Sequence, residues 1–144
     1  KKEVYDEDLE SMVQERDREV KAIYTLDALQ VSCGDPLVPT ATATITDELG
    51  VTHVTCSTGT GPVDAAYKAV DQALAVHGDL AEFSVKAITR GIDAIGEVTV
   101  RVTAEDGSVF SGRGADTDII VSSAKAYVNA VNRMIQTARS KQGK

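Results

Sequence analysis

The sequence predicts an α+β fold made of two pseudo-symmetric βββα units, preceded by an N-terminal connector helix. Three observations carry that prediction. A glycine-x-glycine block followed by a helical pattern occurs twice, as GTGPVDAAYKAVDQAL (59–74) and GRGADTDIIVSSAKAYVNAVNR (112–133). The runs before the two blocks also match: ATITDELGVTHVTCSTG (43–59) lines up with VRVTAEDGSVFSG (100–112), each with an acidic turn that ends in Gly50 or Gly107. Alternating runs precede both, LDALQVSCG (26–34) and LAEFSVKAITRG (80–91). Two copies are too few for a solenoid and indicate one domain with a seam between its halves.

The 144 residues suit one compact domain. Residues 1–23 are expected to form the connector. Asp6 is a candidate N-cap, a helix is predicted from about residue 6 to about residue 18, and Leu9, Met12 or Val13, Val20 and Ile23 give only a narrow apolar stripe. Residues 24–144 are read as one domain, with repeat one at 24–77, repeat two at 79–137 and a basic, frayed tail at 138–144.

In repeat one, Leu26 to Cys33 reads as a strand with both faces partly covered, and Gly34-Asp35-Pro36 as a turn. Thr40 to Thr46 alternates Thr with Ala and ends near Ile45. Thr suits a pleated surface, and the Ala side suits close packing by a helix. Asp47 to Gly50 is the hairpin turn. A third strand through Val54 and Cys56 leads to the first glycine block. Its helix is predicted over 62–76, with Pro62 in the first turn and Val63, Ala66, Val70 and Leu74 as the apolar stripe.

His77-Gly78-Asp79 reads as the joint between repeats. Phe83, Val85 and Ala87 share one face of the next strand, and Val98, Val100 and Val102 share one face of the strand over 97–103. The Gly91–Gly96 connection is apolar where water-facing polarity is the rule; it reads as a loop tucked on its own sheet, a pocket wall or an interface. The second helix is predicted over 117–137, with Ile120, Ala124, Tyr127, Val131 and Met134 on one face.

Charge and composition exclude several classes. The net charge is −7, which disfavours nucleic acid, polyphosphate and anionic membrane surfaces. No apolar run approaches the ~20 residues of a membrane span, and no signal-peptide pattern opens the chain. Cys33 and Cys56 are not in a CxxC and are expected to be reduced, buried and inert, a disulfide being the alternative. This fits the cytoplasm. The chain starts at Lys1 without Met, so an excised piece of a longer protein is expected.

Catalytic chemistry is thin. His53 and His77 lack partners at metal-ligand spacing, and there is no Gly-x-Ser-x-Gly, P-loop or Cys–His motif. No catalytic residue and no metal ligand is assigned. Each glycine block is either a tight strand-to-helix turn or a small anion site built from helix-start N–H groups. Asp64 and Asp116 either stabilise the helix starts or meet the ammonium of a zwitterion.

The two glycine blocks together resemble the C-terminal regulatory domain of 2-isopropylmalate synthase, and citramalate synthases carry a similar domain. The resemblance covers about residues 24–137, and YDEDLESMVQ (5–14) resembles the region that links that domain to the catalytic part. The resemblance implies two βββα units, a homodimer and feedback inhibition by leucine, or by isoleucine in the citramalate enzymes. It assigns the divalent metal and acetyl-CoA to a TIM barrel that nothing here resembles, so this chain itself is expected to be non-catalytic and to need no cofactor. It places the effector between the two units, at a dimer interface, at Gly61, Pro62, Val63 and Asp64 of the first block, Leu80, Phe83 and Ala87 of the next strand, Ala94 and Gly96 of the apolar connection, and Ala115 and Asp116 of the second block. Phe83 stands where the family often has Tyr. A dimerisation module without effector is the other non-enzymatic reading.

Overall fold

The structure, a computed structural model, describes residues 22–75, 79–87 and 95–142. The expected connector helix, His77 and Gly78 of the expected joint, and Ala94 lie outside them. The chain runs β1 (Thr25–Gly34), β2 (Leu37–Thr46), β3 (Thr52–Thr58), α1 (Pro62–Ala73), β4 (Asp79–Ala87), β5 (Gly96–Thr103), β6 (Val109–Asp116) and α2 (Ile119–Gln142). It is α+β, with two three-stranded antiparallel sheets, β1-β2-β3 and β4-β5-β6, each followed by a helix. Helix α1 packs on the first sheet, α2 on the second, and the helices meet each other between the sheets.

The duplication is exact in register. Thr46 pairs with Thr52 at the turn of unit one, and Thr103 with Val109 at the turn of unit two. Both turns need a left-handed residue and have glycine there: Gly50 at φ 85° and Gly107 at φ 91°. The offset that carries Gly50 onto Gly107 also carries Ala41, Ala43 and Ile45 onto Val98, Val100 and Val102. All six are at most 1% exposed and form the inward faces of the central strands.

The helices answer those faces differently. Helix α1 buries Ala65, Ala66, Ala69 and Val70. Helix α2 buries Ala124, Tyr127, Val131 and Met134 of the predicted stripe, and also Ala126, Val128 and Ala130. It is covered on more than one side because it touches β5, β6, α1 and β1.

Three expectations are corrected. Gly112 and Gly114 are not in a turn: they lie within β6, and α2 rests on them. A Cβ at Gly112 would overlap the Ala126 carbonyl and the Ala130 N, and one at Gly114 would overlap the Ser122 carbonyl. The glycines are there for backbone approach. Cys33 and Cys56 are exposed, not buried, and both are free. Cys56 pairs with Thr42 on the face of the sheet opposite Ala41 and Ala43. Helix α2 continues through Gln142, past the expected end at 137 and into the segment expected to be frayed. Arg139 anchors it there with a two-pronged bond to Glu48 in the β2–β3 turn, at 2.9 and 2.5 Å.

The ends of the domain are tied together. The buried Asn132 side chain of α2 accepts from Tyr24 N and donates to Tyr24 O, both at 2.9 Å. Tyr24 in turn accepts at its hydroxyl from Ala75 N at 3.0 Å. No helix among the described residues is long and apolar enough to cross a membrane.

Candidate functional site

The first glycine block is a true strand-to-helix turn. Gly59 N donates to Pro39 O at 3.0 Å, and a Cβ on Gly59 would stand 2.5 Å from Ala65 N, so the chain turns directly beneath the new helix. Gly61 is the N-cap and brings no side-chain cap. Pro62 fills the first helical turn, where its missing N–H costs nothing. The Val63 and Asp64 N–H groups are therefore first-turn donors that no capping side chain covers.

Asp64 holds the turn from inside the helix. Its Oδ2 accepts from Thr60 N at 2.9 Å and pairs with Lys68 Nζ at 3.2 Å. These bonds, the Thr60 backbone first and Lys68 second, hold its carboxyl below the usual carboxylate range.

A cavity of about 410 Å³ opens at this helix start, lined by Thr60, Gly61, Pro62, Val63, Asp64, Tyr67, Leu80 and Ser123. Five residues singled out from the sequence, Gly61, Pro62, Val63, Asp64 and Leu80, are thus brought together. Phe83 and Ala87 are set on β4 opposite Val100 and Gly96. Gly96 is buried beneath Ile119, whose side chain occupies the space of a Cβ. Ala115 and Asp116 lie opposite Glu97 and Gly96 at the end of β6. Ala94 lies outside the described residues.

Gly96 and Asp116 meet at the start of α2 rather than on the cavity lining. Ser122 Oγ reaches the Gly96, Asp116 and Asp118 carbonyl oxygens at 3.1, 3.3 and 3.1 Å. Asp116 accepts from Asp118 N at 3.0 Å and from Lys125 Nζ at 3.1 Å, and these bonds lower its pKa. Asp118 caps this helix, accepting from Ile120 N at 2.8 Å. The start of α2 is closed by a side chain; that of α1 is not.

Sequence reasoning missed Thr60, Tyr67 and Ser123. Tyr67 sits one turn after Val63, so helical spacing could have placed it on the same face. Its ring lies against Tyr127, with centroids 4.2 Å apart. Burial first, then Tyr127 and Asp71, push its phenol well above the usual range, so it stays protonated. Ser123 belongs to the other helix, and only the fold brings it here.

The lining is chemically two-sided. Pro62, Val63, Tyr67 and Leu80 offer apolar surface, while the bare helix start and Asp64 offer donors and a carboxylate. That pairing suits a small molecule with a charged head and an apolar body. Among the described residues, no three His, Cys, Asp or Glu come together as a metal site.

A 2-isopropylmalate synthase of Olsenella uli is 74% identical over 144 residues, covering 100% of this chain and 28% of that protein. That of Gloeobacter violaceus is 50% identical over 134 residues, with 93% and 25% covered. That of Prochlorococcus marinus strain SARG is 48% identical over 139 residues, with 96% and 26% covered. The chain thus spans about a quarter of the length of these relatives. The family model of the LeuA allosteric (dimerisation) domain matches residues 3–135, and the chain belongs to that family.

Proposed function

We propose that this chain is the feedback-sensing domain of a 2-isopropylmalate synthase in leucine biosynthesis. It binds L-leucine in the cavity at the start of α1, inhibits a separate catalytic barrel and works as a homodimer. The observation that carries this reading is the difference between the two helix starts: α1 opens uncapped onto a cavity, whereas Asp118 closes α2. The names of the relatives favour leucine over the isoleucine of citramalate synthases.

In this reading the leucine carboxylate meets the Val63 and Asp64 N–H groups, where the helix dipole favours an anion. The ammonium meets Asp64 Oδ1, which takes no part in the bonds that Oδ2 makes to Thr60 and Lys68. Val63, Tyr67 and Leu80 receive the side chain, where each buried CH₂ contributes roughly 0.8 kcal/mol. The divalent metal and acetyl-CoA belong to the barrel.

A thermal-shift panel of amino acids tests the reading. Leucine raises the melting temperature, isoleucine less, and charged amino acids not at all. At 100 times the dissociation constant, one-site linkage gives about 2.7 kcal/mol. Leu80 is 45% exposed, so Leu80→Asp abolishes the leucine shift and leaves ligand-free melting unchanged. A wild-type chain that shifts with no amino acid sinks the proposal.

A further inference from the structure

Both helices wall the cavity, and both run from it to one residue. Pro62, Val63, Asp64 and Tyr67 line it from α1, and Ser123 from α2. One turn beyond Tyr67, Asp71 of α1 accepts from the Tyr127 hydroxyl of α2 at 2.5 Å. Farther along, roughly 17 Å from the start of α1 at 1.5 Å per residue, Tyr24 holds both helices at once. Its backbone N–H and C=O bond Asn132 of α2, and its hydroxyl accepts from Ala75 N, just past the end of α1. Leu74 N donates to the Asp71 carbonyl at 3.2 Å, which ties this segment to the last turn of α1. Tyr24 itself is buried.

Three bonds from one residue to two helices make Tyr24 sensitive to their spacing. A shift of α1 against α2 cannot keep all three, because a hydrogen bond stretched past about 3.5 Å is lost. Helix α2 rests directly on the backbone of Gly112 and Gly114, so the shift falls to α1. A ligand in the cavity bears on α1 at Tyr67. The Tyr67 ring lies against Tyr127 with the planes 44° apart, and its hydroxyl is buried with no hydrogen-bond partner among the described residues. A buried hydroxyl without a partner is a standing cost. Packing alone holds this side chain against α2, and moving it breaks no hydrogen bond.

We propose that Tyr24 is a clasp between the two helices, and that a ligand in the cavity opens it on the α1 side. The bond from Ala75 N to the Tyr24 hydroxyl breaks, and the two bonds to Asn132 stay. Occupation of the cavity is thereby passed to the entrance of β1, which is continuous with the segment that precedes residue 22. The inference rests on the leucine site proposed above and names the contact that responds to it. Coupling between two sites is reciprocal. Because binding breaks the Tyr24–Ala75 bond, removing that bond beforehand tightens binding. Ala75 is exposed, so its N–H can turn to water once released.

Calorimetric titration with L-leucine and amide hydrogen exchange, both on the 144-residue chain, test the proposal. Leucine binds wild type and speeds exchange of the Ala75 amide about tenfold or more, while the Tyr24 amide, held by Asn132, keeps its protection. Tyr24→Phe keeps the ring and removes the hydroxyl. It tightens leucine binding about fivefold, the equivalent of one net hydrogen bond, and its Ala75 amide exchanges fast with or without leucine. Asn129→Ala removes a bond of α2 outside the clasp, that of Nδ2 to the Arg113 carbonyl at 2.6 Å, and leaves leucine affinity unchanged. Leucine that binds without changing Ala75 exchange, Tyr24→Phe with wild-type affinity, or equal tightening by Asn129→Ala overturns the clasp and leaves the binding site standing. A wild-type chain that binds no amino acid overturns both.

Discussion

Unit one and unit two share strand register, turn glycines and the parity of their central strands, yet they hold their helices differently. At one position of the third strand, unit one has Thr55, whose hydroxyl donates to the Ala69 carbonyl at 2.5 Å. Unit two has Gly112, where even a Cβ would overlap the equivalent carbonyl, that of Ala126. Helix α1 is therefore held off its sheet by a side chain, and α2 is seated on bare backbone. The helix held through a side chain is the one with the uncapped start and the cavity. One duplicated scaffold thus carries two different helix seats.

The largest effect that could break this comparison is at the seat of α2. Gly112→Ala forces the helix off β6 and lowers unfolding stability by about 2–3 kcal/mol, since overpacking against backbone has little room to relax. The twin change, Thr55→Ala, removes one hydrogen bond and costs about 1 kcal/mol. Urea denaturation of both variants checks the ratio. Equal losses would mean that the two helices are seated alike.

Exchanging the caps sharpens the contrast. Gly61 has open space around its Cβ position and an ordinary extended φ of −160°, so Gly61→Asp gives α1 the cap of α2 without strain. Helix stability changes by only a few tenths of a kcal/mol. Leucine affinity, measured by calorimetry, falls at least tenfold, about 1.4 kcal/mol, because a carboxylate now occupies the anion position. Asp118→Gly uncaps α2 and leaves leucine affinity unchanged.

The smallest expected effect is acid sensitivity. Asp64 in unit one and Asp116 in unit two are both held below the ordinary value of 3.8, each by a backbone N–H first and a lysine second. A depressed carboxyl contributes stability that is complete above its unfolded pKa and fades as pH falls through the folded one. Melting temperature is thus flat from neutral pH to about 5 and declines below about 4. Asp64→Asn and Asp116→Asn each flatten the decline slightly, and to similar extents. A decline that started well above pH 5 would show that these two carboxylates do not set the acid sensitivity.

The sequence made the repeat legible because its marks are local: two positive-φ glycines, an alternating β2 and β5, and helical stripes. The second glycine block misled because letters were matched rather than register. Gly59 and Gly61 correspond in space to Asp116 and Asp118, while Gly112 and Gly114 correspond to Thr55 and Ser57. The cysteines misled because a strand alternation does not say which face is covered. The tail misled because its anchor, Glu48, is distant in sequence. The cavity was legible where one helix start builds it and hidden where Ser123 of the other helix completes it.

The bond between Asn132 and the Tyr24 backbone joins residues 108 apart. Such a closure sets the schedule of folding during synthesis. The first sheet and α1 leave the ribosome early, but the backbone of Tyr24, at the entrance to β1, finds its partner only when most of α2 has emerged. The first half therefore waits for the second, and contacts of such high sequence separation slow the final step. A chain cut before Asn132 would leave the entrance to β1 unlatched, so the duplicated halves, alike as they are, do not make two autonomous folding units.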